Sequence, residues 1–461
     1  MKKKISVVLC VLAFVMVFAF VFAGCRSGDV RSMPASPPAR VYFTSDISPE
    51  GLMRIAQEAL GGTGVNLNQF NNVAVNISTG GHGSFPLEPS LIGDFVLSFN
   101  GTLVETNITV PMGDRRATDG GEVVGTETRF HTDTHAQLIA RRGYNEISRG
   151  GRVHILDAND VTVTHPLQSC NNDVILTVGP SGITIPHNYV AAGLFQYDFI
   201  VNLNHFSGHS TAGFGAAKKN LSIGLASARG KDWIHNGGRG MRIPGLAFFG
   251  GLLNLNVNPP VPYGNLAQFG LTDRFEPILM QWLMDHDTYQ RAAAEAALSV
   301  ADAFTHGNYH VLHGVPFPTP FTDRSGNPRT RILHINVMNN LSVDCDCFTD
   351  IRPPDLPNIG ILVSWDPVAL DQASADMIFA AHRHNIANDI RHRANVLTEP
   401  TAMRASHVSG FLPAGYPSPD QNGRIMGEAM VERIAMGRGE MGLWWSEQIG
   451  LGTRNYVLIE R

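Results

Sequence analysis

Short apolar runs recur along the chain and end at polar residues or glycine, a pattern typical of buried strands. The clearest runs are 72–77, 153–157, 199–203, 332–337 and 359–364. Segments with helical patterning alternate with them, as in folds where helices cover a sheet. The pattern therefore predicts an α/β protein with mixed or mainly parallel sheets, helices on both faces, and two α/β halves around a cleft.

Four segments have the helical pattern: 48–60, 188–195, 289–304 and 368–381. The last one follows Asp366 and Pro367, and an aspartate before a first-turn proline is typical of a helix N-terminus. We interpret Asp371 as a first-turn charge that interacts favourably with the helix dipole.

The N-terminus predicts export. Lysines at 2–4 precede an apolar run over 5–23, and Cys25 follows a small residue, so we expect residues 1–25 to be a lipoprotein signal peptide with Cys25 lipidated. Phe22 stands where such signals usually carry leucine, and an uncleaved membrane anchor of marginal length is the alternative. The expected location is the cell envelope, on the periplasmic or extracellular side, with the protein attached to a membrane through its lipid.

Composition then divides the rest of the chain. Ser, Pro and Ala in 26–40 predict a flexible tether, and 41–461 form the main domain, with a Gly-, Pro- and Asn-rich boundary between two halves near 240–270. Hydrophobic content of 43% and a formal charge of −5 describe a mildly acidic globular protein. Since the mature part has no basic run, nucleic acid is not an expected partner.

Cys345 and Cys347 are the most informative residues, because two thiols one residue apart on an extended backbone can face the same way. Thiolates are soft ligands, so the pair predicts a transition-metal site, zinc or nickel, completed by histidines such as His205 and His209. The alternative is a disulfide from one thiol to Cys170. An iron–sulfur cluster is not expected, because a cubane needs four thiolates and no run of closely spaced cysteines supplies them.

The loop after the 199–203 run carries the second candidate set. Its histidines are expected to lie close to the cysteines, since both segments follow apolar strands and α/β folds gather ligand groups at the carboxyl ends of strands. Gly213 and Gly215 would let the backbone approach a cofactor, while Lys219 and Asn220 would contact its polar groups. A tight strand-to-helix turn with two hydrogen-bonded histidines is the alternative.

Four stretches together resemble one family: 40–44, 205–231, 343–347 with 359–371, and 449–456. In their order and spacing they are similar to the family catalogued as domain of unknown function 362, whose members are often labelled iron–sulfur centre proteins. Relatives commonly carry ferredoxin-like cysteine runs after the His-rich loop, and this chain has none there. It also has Ser207 where relatives tend to have lysine.

The leading hypothesis is an exported, lipid-anchored protein that binds a metal or a metal-containing cofactor in a cleft lined by His and Cys. One alternative is a non-catalytic surface binding protein that uses a degenerate version of the family fold. The other is a redox or racemase-type enzyme, since the loop from His209 to Phe214 is also similar to a loop of nickel-pincer lactate racemases. The sequence predicts small-molecule or metal ligands and assigns no catalytic residue.

Overall fold

The structure is a computed structural model of the chain. It describes residues 38–81, 83–108, 117–119, 122–125, 129, 132–158, 173–238, 286–306, 321–322, 329–347, 351–381, 430–431, 433–434 and 437–461. The predicted signal peptide with Cys25, Cys170 and the segment 240–270 lie outside the described residues.

Fourteen strands occur in the described residues. They are β1 Ala39–Thr44, β2 Val73–Asn76, β3 Thr102–Glu105, β4 Ala117–Asp119, β5 Glu122–Gly125, β6 His154–Ile155, β7 Asp173–Thr177, β8 His187–Ala191, β9 Phe199–His205, β10 Ser207–His209, β11 Gly213–Gly215, β12 Ile332–Met338, β13 Gly360–Ser364 and β14 Tyr456–Glu460. β1 begins inside the predicted tether 26–40, because Ala39 and Arg40 already pair with β14.

The described helices flank these strands. They are α1 Pro49–Gly61, α2 Pro89–Ser98, α3 Thr132–Arg141, α4 Ala217–Lys219 with the π-helical turn Asn220–Gly224 after it, α5 Ala228–His235, α6 His286–His306, α7 Pro367–Ala381 and α8 Gly439–Gln448. Short 3₁₀ turns lie at Leu67–Gln69, Tyr144–Ile147, Arg149–Gly151, Gly179–Ser181 and Ala192–Gln196. None of the described helices has both the length and the apolar composition needed to cross a membrane.

Eight strands form one mixed sheet in the order β14-β1-β13-β12-β9-β2-β3-β6. All neighbours in it are parallel except the two pairs that include β13. Strands from both sides of 240–270 are neighbours in this sheet, because β9 pairs with β12. The predicted α/β class with a mixed, mainly parallel sheet is therefore confirmed.

The two faces of the sheet pack into separate hydrophobic clusters, as alternating side chains require. In β9, Phe199, Val201 and Leu203 belong to the cluster covered by α1 and α2. Ile200 belongs to the cluster on the other face, which α6, α7 and α8 cover. Helices therefore cover both faces of the sheet.

Four predicted strands match β2, β9, β12 and β13 closely, and β6 forms within the fifth run. Three predicted helices match α1, α6 and α7, and Asp366 caps α7 through bonds from Val368 N and Ala369 N, both 2.9 Å. The predicted helix over 188–195 is wrong. Its first part is strand β8, which pairs antiparallel with β7 over Asp173–Thr177, so a tertiary partner decides the conformation.

Candidate metal site

Two neighbouring parallel strands deliver the site. β9 and β12 end at the same edge of the sheet, with Val337 opposite His205. After β9 the chain forms the β10–β11 hairpin and then α4, and after β12 it forms the segment with Cys345 and Cys347. The carboxyl ends of the strands thus bring the two sequence-predicted segments together.

Glycine makes the close approach of these segments feasible. A Cβ on Gly208 would lie 2.2 Å from Val343 O, so only glycine lets the hairpin lie against the cysteine segment. Gly208 N also donates to Ser342 O at 2.8 Å. Gly213 has a φ of 78°, and a Cβ there would lie 2.8 Å from Gly439 N. Gly213 therefore serves a packing contact with the start of α8.

Three potential ligand atoms converge at this edge. One atom each from His209, Cys345 and Cys347 lies within 4.8 Å of the other two. Cys345 and Cys347 are both free thiols, while Cys170, the partner in the alternative disulfide, lies outside the described residues. The two sulfur atoms are 2.7 Å apart. Lys219 Nζ lies 3.1 Å from Cys345 Sγ and 3.8 Å from Cys347 Sγ.

The electrostatics favour one thiolate in the pair. Burial raises the pKa of Cys345, but the hydrogen bond from Cys347 and the positive charge of Lys219 outweigh it and bring the pKa down to about 6. The same bond and burial raise the pKa of Cys347 well above its usual value. Although burial opposes it, the sulfur charge raises the pKa of Lys219. These shifts favour the thiolate form of Cys345, with Lys219 as its counter-ion.

His209 contacts this cluster as a neutral ring. Its Nδ1 accepts from Thr211 N at 3.1 Å and from Ala212 N at 2.9 Å. Burial, followed by the charge of Lys219, lowers the pKa of His209 well below its ordinary value. Because Nδ1 accepts, the ring proton of the neutral form lies on Nε2.

His205 lies beside the cluster with both nitrogens engaged. Its Nδ1 is 2.7 Å from Asp346 Oδ2, and its Nε2 is 2.5 Å from Asn339 O. Burial lowers the pKa of His205, yet the Asp346 carboxylate more than compensates and the pKa is raised overall. Since both partners only accept, the ring donates from both nitrogens and offers no lone pair to a metal. His205 instead orients Asp346, the residue between the two cysteines.

Buried asparagines hold the α4 turn over the sheet. Asn202 Oδ1 accepts from Asn76 Nδ2 at 3.1 Å and from Asn220 Nδ2 at 3.0 Å. Asn202 Nδ2 donates to Ala217 O at 2.9 Å and lies 3.0 Å from His334 Nδ1. Burial lowers the pKa of His334 to about 3, so this ring stays neutral. Asn220 and the Asn202 amide therefore fix the turn that carries Lys219.

A cavity of about 80 Å³ lies beside the thiols. Gly215, Lys219 and Asn220 line it together with Cys345 and Cys347. By this measure a water molecule needs about 10–15 Å³, so the cavity accommodates several waters or one small ion. Three of the four predicted cofactor-binding residues thus line one small cavity.

Several functional candidates escaped sequence reasoning. Arg129, Glu105 and Lys231 line the cavity and are buried, and the sequence named none of them as a candidate, although Lys231 ends the stretch 205–231 that resembles the family. Arg129 donates to Cys347 O at 2.8 Å. A charged residue at the end of an apolar strand is a signal that could have identified Glu105, at the end of β3, but not Arg129 or Lys231.

Asp371 needs a different interpretation from the one its sequence suggests. Its carboxylate accepts from Ala217 N at 2.9 Å and from Lys218 N at 2.8 Å, and Asn336 Nδ2 donates to it at 3.0 Å. It therefore caps the N-terminus of α4 from a neighbouring helix, where a first-turn charge on α7 was expected.

The chain was compared with curated proteins, solved structures and family profiles. No curated protein matches the chain, and no solved structure matches it. The family profile described as Domain of unknown function (DUF362) matches residues 114–376, which is more than half of the chain and includes the hairpin, α4 and the two cysteines. The chain therefore belongs to the DUF362 family.

Proposed function

We propose that the protein binds a soft divalent metal ion, zinc or nickel, through Cys345 and Cys347, with His209 as third member of the site. The observation that supports this is the convergence of the three ligand atoms within 4.8 Å. Thiolate sulfur and imidazole nitrogen are the donors that these metals prefer.

The charge of the site fits a cation. Lys219 Nζ lies 3.1 Å from the Cys345 thiolate, so a positive charge already balances the sulfur. A bound metal would replace that ammonium as the counter-ion of both thiolates.

The three potential ligands are not equally well prepared to bind a metal. A histidine that ligates through Nε2 usually donates its Nδ1–H to an acceptor. His209 Nδ1 instead accepts from two backbone amides, so binding through Nε2 must displace the Nε2 proton. We therefore assign most of the affinity to the two sulfur atoms.

An iron–sulfur cluster is not part of this proposal. A cubane normally takes four thiolates, whereas the chain has three cysteines beyond the predicted anchor, at 170, 345 and 347.

Metal titration of the purified protein tests the proposal. The wild type should take up one zinc or nickel per chain, and nickel should add a sulfur-to-metal absorption band. Either Cys345→Ser or Cys347→Ser should weaken binding at least about 100-fold, and His209→Asn about tenfold. Asp344→Asn is the matched control, because Asp344 adjoins Cys345 but pairs with Arg352 at 2.9 Å. Equal metal uptake by the wild type and the double cysteine variant would exclude the site.

A second candidate function is a thiol-dependent redox enzyme. The specific observation is that Lys219 Nζ lies 3.1 Å from Cys345 Sγ and that the pKa of this thiol is lowered, which is the microenvironment of reactive cysteines. It is favoured if the metal-free protein reacts with a disulfide reagent at Cys345 and metals leave that rate unchanged. If the protein neither holds metal nor reacts, the non-catalytic binding protein is favoured.

We also propose that the protein is exported and attached to a membrane through a lipid on Cys25. The support is the sequence: lysines at 2–4, the apolar run over 5–23, and a small residue before Cys25. Cys25→Ser should move the protein from membranes to the soluble fraction, and Cys10→Ser, within the apolar run, should not. Unchanged fractionation of Cys25→Ser would contradict the anchor.

A further inference from the structure

The sulfur atoms of Cys345 and Cys347 lie close together as a pair. Cys347 Sγ donates to Cys345 Sγ at 2.7 Å, and Cys347 N donates to the same sulfur at 3.3 Å. Both residues are free thiols. Because the two sulfur atoms need only a short movement to form a disulfide, the pair has the arrangement that thiol oxidation requires.

The backbone that carries the pair is held on both sides. Gly81 N donates at 2.7 Å to the carbonyl oxygen of Asp346, the residue between the two cysteines. The next carbonyl, Cys347 O, accepts from Arg129 at 2.8 Å. Groups that are held in place react as though at a high local concentration. A reaction between the two sulfur atoms is therefore favoured over a reaction with a thiol of another chain.

Lys219 distinguishes the two sulfur atoms. Its Nζ lies 3.1 Å from Cys345 Sγ and 3.8 Å from Cys347 Sγ. An ammonium group close to a sulfur atom stabilises the thiolate, which is the nucleophilic form of cysteine. Cys345 is therefore the attacking sulfur, and Cys347, which donates to it, is the thiol that reacts second.

The route to Cys345 favours a small reactant. Cys345 is 5% exposed, and it lines the cavity of about 80 Å³ together with Cys347 and Lys219. Since a water molecule needs about 10–15 Å³ by this measure, the cavity has room for hydrogen peroxide, which is little larger than water. A thiolate converts a hydroperoxide into water or an alcohol and becomes a sulfenic acid, which a neighbouring thiol turns into a disulfide.

We infer that Cys345 and Cys347 reduce a small hydroperoxide such as hydrogen peroxide, with Cys345 as the attacking thiolate and Cys347 as the resolving thiol. This inference rests on the second candidate function, a thiol-dependent redox enzyme, and it names the substrate class and the role of each cysteine.

The reaction takes two steps. Cys345 Sγ attacks one oxygen of hydrogen peroxide, the O–O bond breaks, and the other oxygen leaves as hydroxide, which takes a proton from solvent to form water. Cys347 Sγ then attacks the sulfenic sulfur, and its proton leaves with the hydroxyl group as a second water. The two cysteines lose two electrons to the peroxide oxygens, and an external dithiol restores both thiols by exchange.

Oxidation of the metal-free full chain by one equivalent of hydrogen peroxide at pH 7.5 tests the inference. The tryptic peptide that begins at Ile332 contains Cys345 and Cys347 and no other cysteine. By mass spectrometry it should lose two hydrogens, and dithiothreitol should restore them. A peptide that stays reduced, or that is joined to Cys170 instead, would overturn the inference.

Variants assign the two roles. In Cys347→Ser the sulfenic acid on Cys345 should persist and react with dimedone, which does not label methionines that have gained an oxygen, whereas Cys345→Ser should give neither disulfide nor label. Lys219→Met should slow the oxidation about tenfold. Lys218→Met, which removes an equal charge next to it, is the control and should react like the wild type. A dimedone label in Cys345→Ser and not in Cys347→Ser, or equal rates in the two lysine variants, contradicts the assigned roles.

Two further reagents separate the inference from the function on which it rests. Cumene hydroperoxide carries its O–O bond on a bulky aromatic group and should react at least about tenfold more slowly, because the cavity is too small for it. An equal rate would overturn the assignment of a small substrate. Iodoacetamide reports the nucleophilicity of Cys345 alone. If it alkylates Cys345 but peroxide gives no disulfide, the inference fails and the second candidate function stands; if neither reagent reacts, both fail.

Discussion

Lys218 and Lys219 are neighbours in one helical turn, yet their surroundings give them opposite properties. Lys218 Nζ donates to Gln290 Oε1 at 2.6 Å, and burial lowers its pKa to about 8 although the Asp371 carboxylate opposes this. Lys219 Nζ lies 3.1 Å from a thiolate, and its pKa is raised. Burial acts on both ammonium groups, so the partner decides the outcome.

The two lysines of α4 therefore have different roles. Lys218 points towards Gln290, which itself donates to Ala212 O at 2.9 Å and to Gly437 O at 2.7 Å. Through Gln290, Lys218 therefore links the β10–β11 hairpin, α6 and the residues before α8. Lys219 faces the cavity and the two sulfur atoms. We assign a packing role to Lys218 and a site role to Lys219.

The largest effect expected from the different surroundings of the two lysines is on the pH dependence of the free energy of unfolding. Between about pH 8 and 10.5 the folded chain has lost the Lys218 proton that the unfolded chain still holds. Unfolding then takes up a proton, so the free energy of unfolding contributed by Lys218 rises with pH across this window. Relative to Lys218→Met, the wild type should gain on the order of 3 kcal/mol from pH 8 to 10.5.

Chemical denaturation of both proteins across this pH range measures the gain. Arg54→Met is the control, since Arg54 forms an exposed pair with Asp46 at 3.2 Å and its loss should leave the pH dependence as in the wild type. A constant difference between wild type and Lys218→Met would show that Lys218 keeps an ordinary pKa.

The second effect concerns the reactivity of Cys345. Removing the charge in Lys219→Met should raise the pKa of Cys345 from about 6 to above neutral pH, because Lys219 is the cation that stabilises its thiolate. The rate of alkylation by iodoacetamide at pH 7 should fall about tenfold, or about 1.4 kcal/mol.

Lys218→Met is the matched control for this rate. It removes an equal charge from the adjacent residue, but its ammonium contacts Gln290, so alkylation of Cys345 should stay at the wild-type rate. The rates are measured on metal-free protein, with mass spectrometry to assign the modified cysteine. If both variants react alike, the contrast between the two lysines is not real.

Sequence reasoning located the site through strand order. The runs 199–203 and 332–337 are apolar and end at polar residues, so their carboxyl ends indicated where His209 and the cysteines would meet. Parallel pairing of β9 with β12 is the physical reason that this inference works.

The rest of the site depends on contacts that sequence spacing does not encode. His205 ends β9 and His209 ends β10 only four residues later, yet Asp346 and Asn339 engage His205 while backbone amides hold His209. Asp371 looked like a helix charge because its partner amides at 217 and 218 lie more than 150 residues away. Likewise, the sequence named Lys219 and not Lys218 as a cofactor contact, but it could not predict their opposite pKa shifts, because their partners come from different elements.

The smallest effect tests whether Asn220 positions Lys219. Asn220 Nδ2 donates to Asn202 Oδ1 at 3.0 Å and to Asn76 O at 3.3 Å. Asn220→Ala removes both bonds, but Asn202 Oδ1 keeps its donor Asn76 Nδ2, so the cost in unfolding free energy should be about 1 kcal/mol. A looser turn lets Lys219 leave the thiolate part of the time, so alkylation of Cys345 should slow about twofold, less than in Lys219→Met.

Asn236→Ala is the control. It loses a comparable bond, from Asn236 Nδ2 to Asp232 O at 2.9 Å, and should leave the alkylation rate unchanged. A wild-type rate in Asn220→Ala would mean that the Cys345 thiolate holds Lys219 in place without help from Asn220.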